Sequence, residues 1–275
     1  MTILQKLFRF YINSSVHVAV AVVSLGVLTS MTMEIPLNKY LLSVLFFGTI
    51  SGYNFVKYAG VAGLHHLSLT PGLKVIQVFS FFSAIILAVS LFFLPMRVLV
   101  WGGVFGLLTL LYALPFISRK RNLRSLKGVK IVIIAAVWTG VSVVLPVINH
   151  GETITWDVGV MIVQRFLFVV VLMIPFEIRD LKYDALTLGT LPQLIGIRAA
   201  KYLGIIFLLI VFVLEYVKDE MGTIELLSTF GIICLTGGLL LRAKEKHSPF
   251  YASFWVESLP IIWFCLFWGL QLLLT

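Results

Sequence analysis

Charge is scarce in this chain: Asp, Glu, Lys and Arg make up 12% of its 275 residues, against 60% hydrophobic residues. With a mean hydropathy of +1.06, that shortage excludes an ordinary soluble domain and an extended disordered tail, and it leaves a polytopic membrane protein. Acids are scarcer than bases, 12 against 21, for a formal charge of +9. That excess could point to nucleic acid, but the basic residues stand between long apolar runs, where membrane topology accounts for them. No nucleic-acid partner is expected. Only two cysteines occur, Cys234 and Cys265, each inside an apolar run, which excludes a disulfide framework and a cysteine zinc site. No Pro/Gly/Ser linker or low-complexity tract divides the chain, so residues 1–275 read as a single transmembrane domain. Lys6 and Arg9 precede an apolar segment as in a signal peptide, yet no small-x-small cleavage pattern follows before Glu34, and the first helix reads as retained.

What is present is a series of apolar runs. About 20 apolar residues span a bilayer as a helix, and nine candidates can be read, at 13–33, 38–57, 74–94, 97–117, 130–149, 157–178, 199–217, 222–241 and 250–273. The fold class is therefore all-α. Alternating sides across nine spans puts seventeen of the 21 Lys and Arg residues on one side. Lys39, Arg97 and Lys218 fall on the other, and Arg165 lies inside a span. The positive-inside rule makes the N-terminus and the long loops at 58–73, 118–129 and 179–198 cytoplasmic and the C-terminus external, with a bacterial inner membrane as the expected location. The unequal loops point to function on the cytoplasmic face.

The most informative polar stretch runs from Glu177 through Arg179, Asp180 and Lys182 to Asp184, at the end of the sixth run. At about 100° per residue, Asp180 lies about 300° and Asp184 about 700° around a helix from Glu177, so all three acids share a face. Like charges on one face repel, and a hard divalent cation held by carboxylate oxygens would relieve that repulsion. Glu177, Asp180 and Asp184 are thus candidate metal ligands; the plainer alternative is a solvated turn balanced by Arg179 and Lys182.

Three further features give the chain a resemblance. Gly189-Thr190-Leu191-Pro192, with Gly196, follows the acidic stretch; Tyr112 and Pro115 precede the basic run Arg119-Lys120-Arg121; and Asn54 opens the polar segment after the second run. Together with the nine spans, these resemble the UbiA superfamily of intramembrane prenyltransferases. The resemblance implies helices around a central cavity, two Asp-rich cytoplasmic motifs, Mg2+ as cofactor, and transfer of an isoprenyl group from a prenyl diphosphate to a hydrophobic aromatic or lipid acceptor. The first of those motifs departs from the pattern. Asn54-Phe55-Val56-Lys57-Tyr58 keeps the asparagine and lacks both aspartates, so one set of magnesium ligands is missing.

The resemblance assigns Asp180 and Asp184 to catalysis; Lys57, in the segment that departs from the pattern, is added as a candidate to supply charge in place of a metal. The resemblance assigns Asn54, Tyr112, Arg119, Lys120, Arg179 and Arg198 to substrate binding. Each has a plainer alternative: Lys57 snorkelling to the interface, Arg119 to Lys130 serving topology and lipid attraction, Tyr112 and Pro115 marking an interface and a helix end. A homologue that holds a lipid, quinone or isoprenoid without turnover is the alternative function. Arg165 and Glu257 lie inside apolar runs, where an unpaired charge is costly, and are expected to pair or to line a cavity. Asn13 and His17 are one turn apart and could line the same cavity or bond to a neighbouring helix. His65 and His66 read as loop polarity.

Overall fold

The structure, a computed structural model, describes residues 2–62, 71–114, 126, 128–182, 189–248 and 250–274. All regular structure among them is helical. In chain order the helices are α1 (Ile3–Asn13), α2 (Val16–Thr32), α3 (Lys39–Ala62), α4 (Pro71–Leu91), α5 (Met96–Ala113), α6 (Val129–Thr139), α7 (Leu145–His150), α8 (Trp156–Asp180), α9 (Leu191–Ile195), α10 (Ile197–Val213), α11 (Thr223–Arg242) and α12 (Leu259–Leu274). A π-helical turn, Gly140–Val144, joins α6 to α7; a second, Tyr251–Val256, leads into α12; a 3-10 turn, Leu214–Val217, ends α10. Seven segments are long and apolar enough to cross a membrane, and the α1–α2 pair, bent by 56°, makes an eighth. The remaining long helix, α3, carries Ser51, Asn54 and Lys57 in its second half. Seven or eight of the described segments are thus able to cross a membrane, roughly the nine that the apolar runs suggest, and the protein is an integral, multi-pass membrane protein.

The differences from expectation lie at the first segment. Helix starts at Ile3, ten residues before the expected span, because Thr2 and Gln5 close a capping box. One face of α1 exposes Ile3, Leu4 and Leu7, the pattern of a helix lying along an interface. The break follows at Ser14-Ser15. Ser15 adopts a left-handed backbone at φ 63°, and the Ser14 carbonyl accepts a bond from Asn54 Nδ2 at 3.0 Å. Serine competes for backbone bonds, which makes a Ser-Ser pair a natural place to interrupt a helix.

At the centre stands α8. Of its most apolar stretch 72% is buried, against 11% for α4 and for α5. Phe168, Ile174 and Ile178 are fully enclosed, packed in one core with residues of α2, α6, α10, α11 and α12. A helix that is apolar on every side belongs inside a bundle or in lipid. Helices α4 and α5 present Phe81, Phe82, Ile85, Trp101, Val104 and Leu107 outward, a surface suited to hydrocarbon.

Hydrocarbon supplies no hydrophobic drive for helix association, so close packing and interhelical hydrogen bonds hold the bundle. Gly204 sits where a Cβ would come 2.5 Å from Leu240 and 3.0 Å from Ile174. Gly140, in the first π turn, lies under the Phe105 ring, leaving no space for a side chain. Asn54, 3% exposed, joins three elements: its Nδ2 also donates to Ser80 Oγ at 2.8 Å, and its Oδ1 accepts from Ser15 Oγ at 2.8 Å. Replacing Asn54 by leucine leaves the Ser14 carbonyl and the Ser15 hydroxyl without this partner. We expect Asn54→Leu to lose ~1–3 kcal/mol of stability in detergent thermal unfolding, whereas Phe55→Ala, on the exposed side of the same turn, stays within ~0.5 kcal/mol.

Candidate functional site

Three structural devices converge at the end of the bundle where α3 and α8 finish. The α1–α2 break leaves the Asn13 carbonyl free of helix bonding, and it accepts from Tyr58 Oη at 2.9 Å and Lys57 Nζ at 3.3 Å. Lys57 also lies 5.3 Å from the Tyr58 ring centre. Its ammonium is therefore drawn back over the helix break.

The π turn Tyr251–Val256 supplies the second device. Within it the Phe254 carbonyl keeps its backbone bond from the Ser258 amide at 2.8 Å, and it also accepts from Ser258 Oγ at 2.7 Å and bonds His17 Nε2 at 3.0 Å. The His17 ring, 2% exposed, is completed by Tyr11 Oη at 2.9 Å from Nδ1. His17 thus bonds to a neighbouring helix, and the turn presents Glu257 to the interior. Glu257 is buried beside Val256 and lines a narrow cavity with Trp138, Val169, Leu172, Met173 and Phe176. Lys57 and Arg179 are both close enough to act on its charge.

The third device is the end of α8. Arg179 and Asp180 form a side-on pair, Nε to Oδ1 at 2.7 Å and Nη2 to Oδ2 at 3.0 Å. The guanidinium lies 5.1 Å from the ring centre of Phe176, one of the residues that line the cavity. Glu177, 2% exposed, points the other way. Its Oε2 accepts from the Leu191 amide at 3.0 Å, at the start of α9. There the Gln193 side chain accepts from the Thr190 amide at 3.0 Å, and Gly189 and Gly196 take the positive φ values that turn the chain, 53° and 82°.

Of the residues singled out in the sequence, Lys57, Arg179 and Asp180 lie at this mouth, and Asn54 stands one turn inward of Lys57 with its amide engaged by Ser14, Ser15 and Ser80. Tyr112 is buried, within electrostatic reach of Tyr53, which in turn is within reach of Glu257. Arg198 is exposed at the start of α10. Asp184, Arg119, Lys120, Pro115, His65 and His66 lie outside the described residues.

One expectation needs correction. Arg165 and Glu257 do not pair: Glu257 belongs to Lys57 and Arg179 at this end, and Arg165 to Glu215 in the other half of the bundle. Both face inward from different helices, but from opposite ends, and nothing in the linear order says so. Tyr11, Tyr53, Trp138 and Phe176 were not singled out; only the Ser-Ser break and the polar second half of α3 hinted at a cavity here.

Mg2+ does not fit the described acids. Both oxygens of Asp180 are held by Arg179, Glu177 caps α9, and among the described residues no three His, Cys, Asp or Glu side chains gather for a metal. An arginine fork and a hard cation compete for the same lone pairs.

No known protein-family profile matches the chain, and no curated protein matches it. A solved structure concerning digeranylgeranylglyceryl phosphate synthase in membranes superposes with a TM-score of 0.58 at 17% identity, covering 96% of this chain and 97% of that one. The likeness is one of fold, and it runs nearly end to end. This protein shares that structure's fold, and among the described residues it is an all-helical bundle.

If Arg179 is what withholds Asp180 from a cation, removing it exposes both oxygens. A charged hydrogen bond contributes about 1.5–3 kcal/mol, so Arg179→Gln should tighten Mn2+ binding, measured by electron paramagnetic resonance, by roughly tenfold. Unchanged affinity would show that the pair does not control the carboxylate.

Proposed function

We propose that this chain is a UbiA-type membrane prenyltransferase that takes an isoprenyl diphosphate at the Lys57–Arg179 mouth and transfers the isoprenyl group to an aromatic or lipid acceptor. The observation that carries this reading is that Lys57 and Arg179 both lie within electrostatic reach of Glu257, which lines a narrow, largely apolar cavity. An isoprenyl diphosphate has that polarity, a hydrocarbon chain ending in a dense negative charge. Seventeen basic residues assigned to one side favour the cytoplasm as the side on which the mouth opens.

In this reading the carbon–oxygen bond at the first prenyl carbon breaks, and its electron pair stays with the diphosphate. Lys57 and Arg179 meet the charge that develops on the leaving group, an electrostatic task that needs fixed cations near the breaking bond. Asp180 is a positioning residue that holds the Arg179 fork in one plane. Asp184, Arg119 and Lys120 are proposed to complete the phosphate end, with Arg198 at the rim and Tyr112 on the acceptor side. The aromatic faces of Trp138 and Phe176 suit an allylic cation. The acceptor attacks that carbon and forms the new bond, and the proton it releases leaves through Glu257. Mg2+ in related enzymes supplies charge neutralisation on the diphosphate; here the two cations hold that place.

A second reading, an isoprenoid-holding protein without turnover, is favoured by the engagement of both Glu177 and Asp180 in internal bonds. Purified protein, labelled prenyl diphosphates of several chain lengths and membrane-extracted acceptors separate the two. We expect transfer, with Lys57→Ala and Arg179→Ala each lowering kcat/KM by about a hundredfold, ~2.7 kcal/mol, and with EDTA changing prenyl diphosphate affinity less than either substitution. Binding without transfer or diphosphate release in any combination would sink the enzyme reading and leave the holding one; no binding at all would remove both.

A further inference from the structure

Arg165 lies in the half of the bundle away from the Lys57 mouth. It sits nine residues into α8 from Trp156, about 13 Å along the axis. It is 3% exposed, and its Nε and Nη1 hydrogens have no hydrogen-bond partner among the described residues. Its guanidinium lies 4.9 Å from the Trp263 ring centre. An arginine enclosed among apolar helices with two donors unused is costly, and the surroundings do not supply the missing acceptor.

Glu215 is the countercharge nearby, and it is fully engaged. Its Oε1 accepts from Gln164 Nε2 at 3.0 Å and Thr229 Oγ1 at 2.9 Å, and its Oε2 bonds Lys218 Nζ. Glu215 therefore acts on Arg165 through space only. Counting buried charges, two cations face one anion. Glu225 stands at the rim but is turned back against Gly222, at the N-terminus of its own helix, and Ser228 donates to the Glu225 backbone carbonyl at 3.0 Å. All of these groups line one cavity with Arg165, and its other walls are Leu28, Met161, Trp263 and Phe267.

We infer that this cavity is a second binding site, for an anionic oxygen-bearing group such as a phosphate or carboxylate, with Arg165 as the principal donor. The site is narrow and partly walled by apolar side chains, so the group enters at the end of an amphiphile, its hydrocarbon lying along Leu28, Met161 and Phe267. A phosphate or carboxylate oxygen pair matches the planar fork that Arg165 leaves unused, and its charge balances the excess cation. This assignment is independent of the chemistry proposed at the Lys57 mouth, whose residues it does not share.

Thermal unfolding of delipidated protein in neutral detergent tests it, with short-chain phosphatidylglycerol, phosphatidylcholine of the same chain length, or inorganic phosphate added separately. At about a hundredfold excess over the dissociation constant, phosphatidylglycerol should raise the midpoint by about 5–10 °C and phosphatidylcholine by much less. Arg165→Met should abolish the difference, and Arg97→Ala, which removes an exposed arginine at the same end of the bundle, should keep it. Should Arg165→Met fail to fold, Arg165→Lys replaces it and should shrink the protection severalfold, since the ammonium keeps the charge and lacks the fork. Protection by inorganic phosphate as well supports the site with the free ion as occupant; protection by the lipid alone supports it with a headgroup. Equal protection by the two lipids, no protection by lipid or phosphate, or an unchanged shift in the Arg165 variant overturns it.

Discussion

Inside a bilayer, a polar group that finds no partner within the protein finds none at all, because hydrocarbon offers neither donor nor acceptor. Much of what distinguishes this structure from a plain bundle of greasy helices follows from that requirement. The break between α1 and α2 frees backbone groups at Asn13, Ser14 and Ser15, and the second half of α3 answers with Lys57, Tyr58 and Asn54. At the π turn before α12 the Phe254 carbonyl, besides its backbone bond from Ser258, is met by His17 and the Ser258 hydroxyl. The start of α9 has an amide at Leu191, and Glu177 turns to it. These three irregular segments are each met by a side chain from another helix and act as joints of the fold.

The same requirement sorts the charges. Lys57, Arg179 and Glu257 gather where α3 and α8 end, around a cavity whose remaining walls are apolar. Arg165, Glu215 and Lys218 gather in the other half, with Gln164 and Thr229 bonding the carboxylate. The two groups differ in how completely they are satisfied. Asp180 and Arg179 satisfy one another at the mouth, whereas Arg165 keeps two donors unused. An engaged pair positions a side chain, and an unengaged buried donor asks for a ligand.

The polar second half of α3 has a structural logic of its own. The Asn54 amide ties α3 to the α1–α2 break and to Ser80 on α4, a role that does not depend on any metal. Lys57, one turn on, meets the Asn13 carbonyl and lies within electrostatic reach of the Glu257 carboxylate. Glu177, one carbon longer than the aspartate the pattern expects, reaches the α9 amide. The chain keeps the architecture while redirecting its acids toward internal partners.

How much of this was legible beforehand divides along a physical line. Hydrocarbon thickness and backbone satisfaction act on each segment separately, so run lengths alone determined the all-helical class and the order of the apolar helices, and basic residues between them were enough to propose the sidedness. The motif spacing was enough to propose Lys57, Arg179 and Asp180 as neighbours of one opening. The sequence could not show that Glu177 and Asp180, on one helix face, turn to separate partners, because Asp180 is held by its own neighbour and Glu177 by a helix that begins fourteen residues later. Nor could it separate Arg165 from Glu257, since depth in a membrane says nothing about which helix faces which. Those outcomes depend on side chains meeting across helices, and only the packed tertiary structure decides which meet.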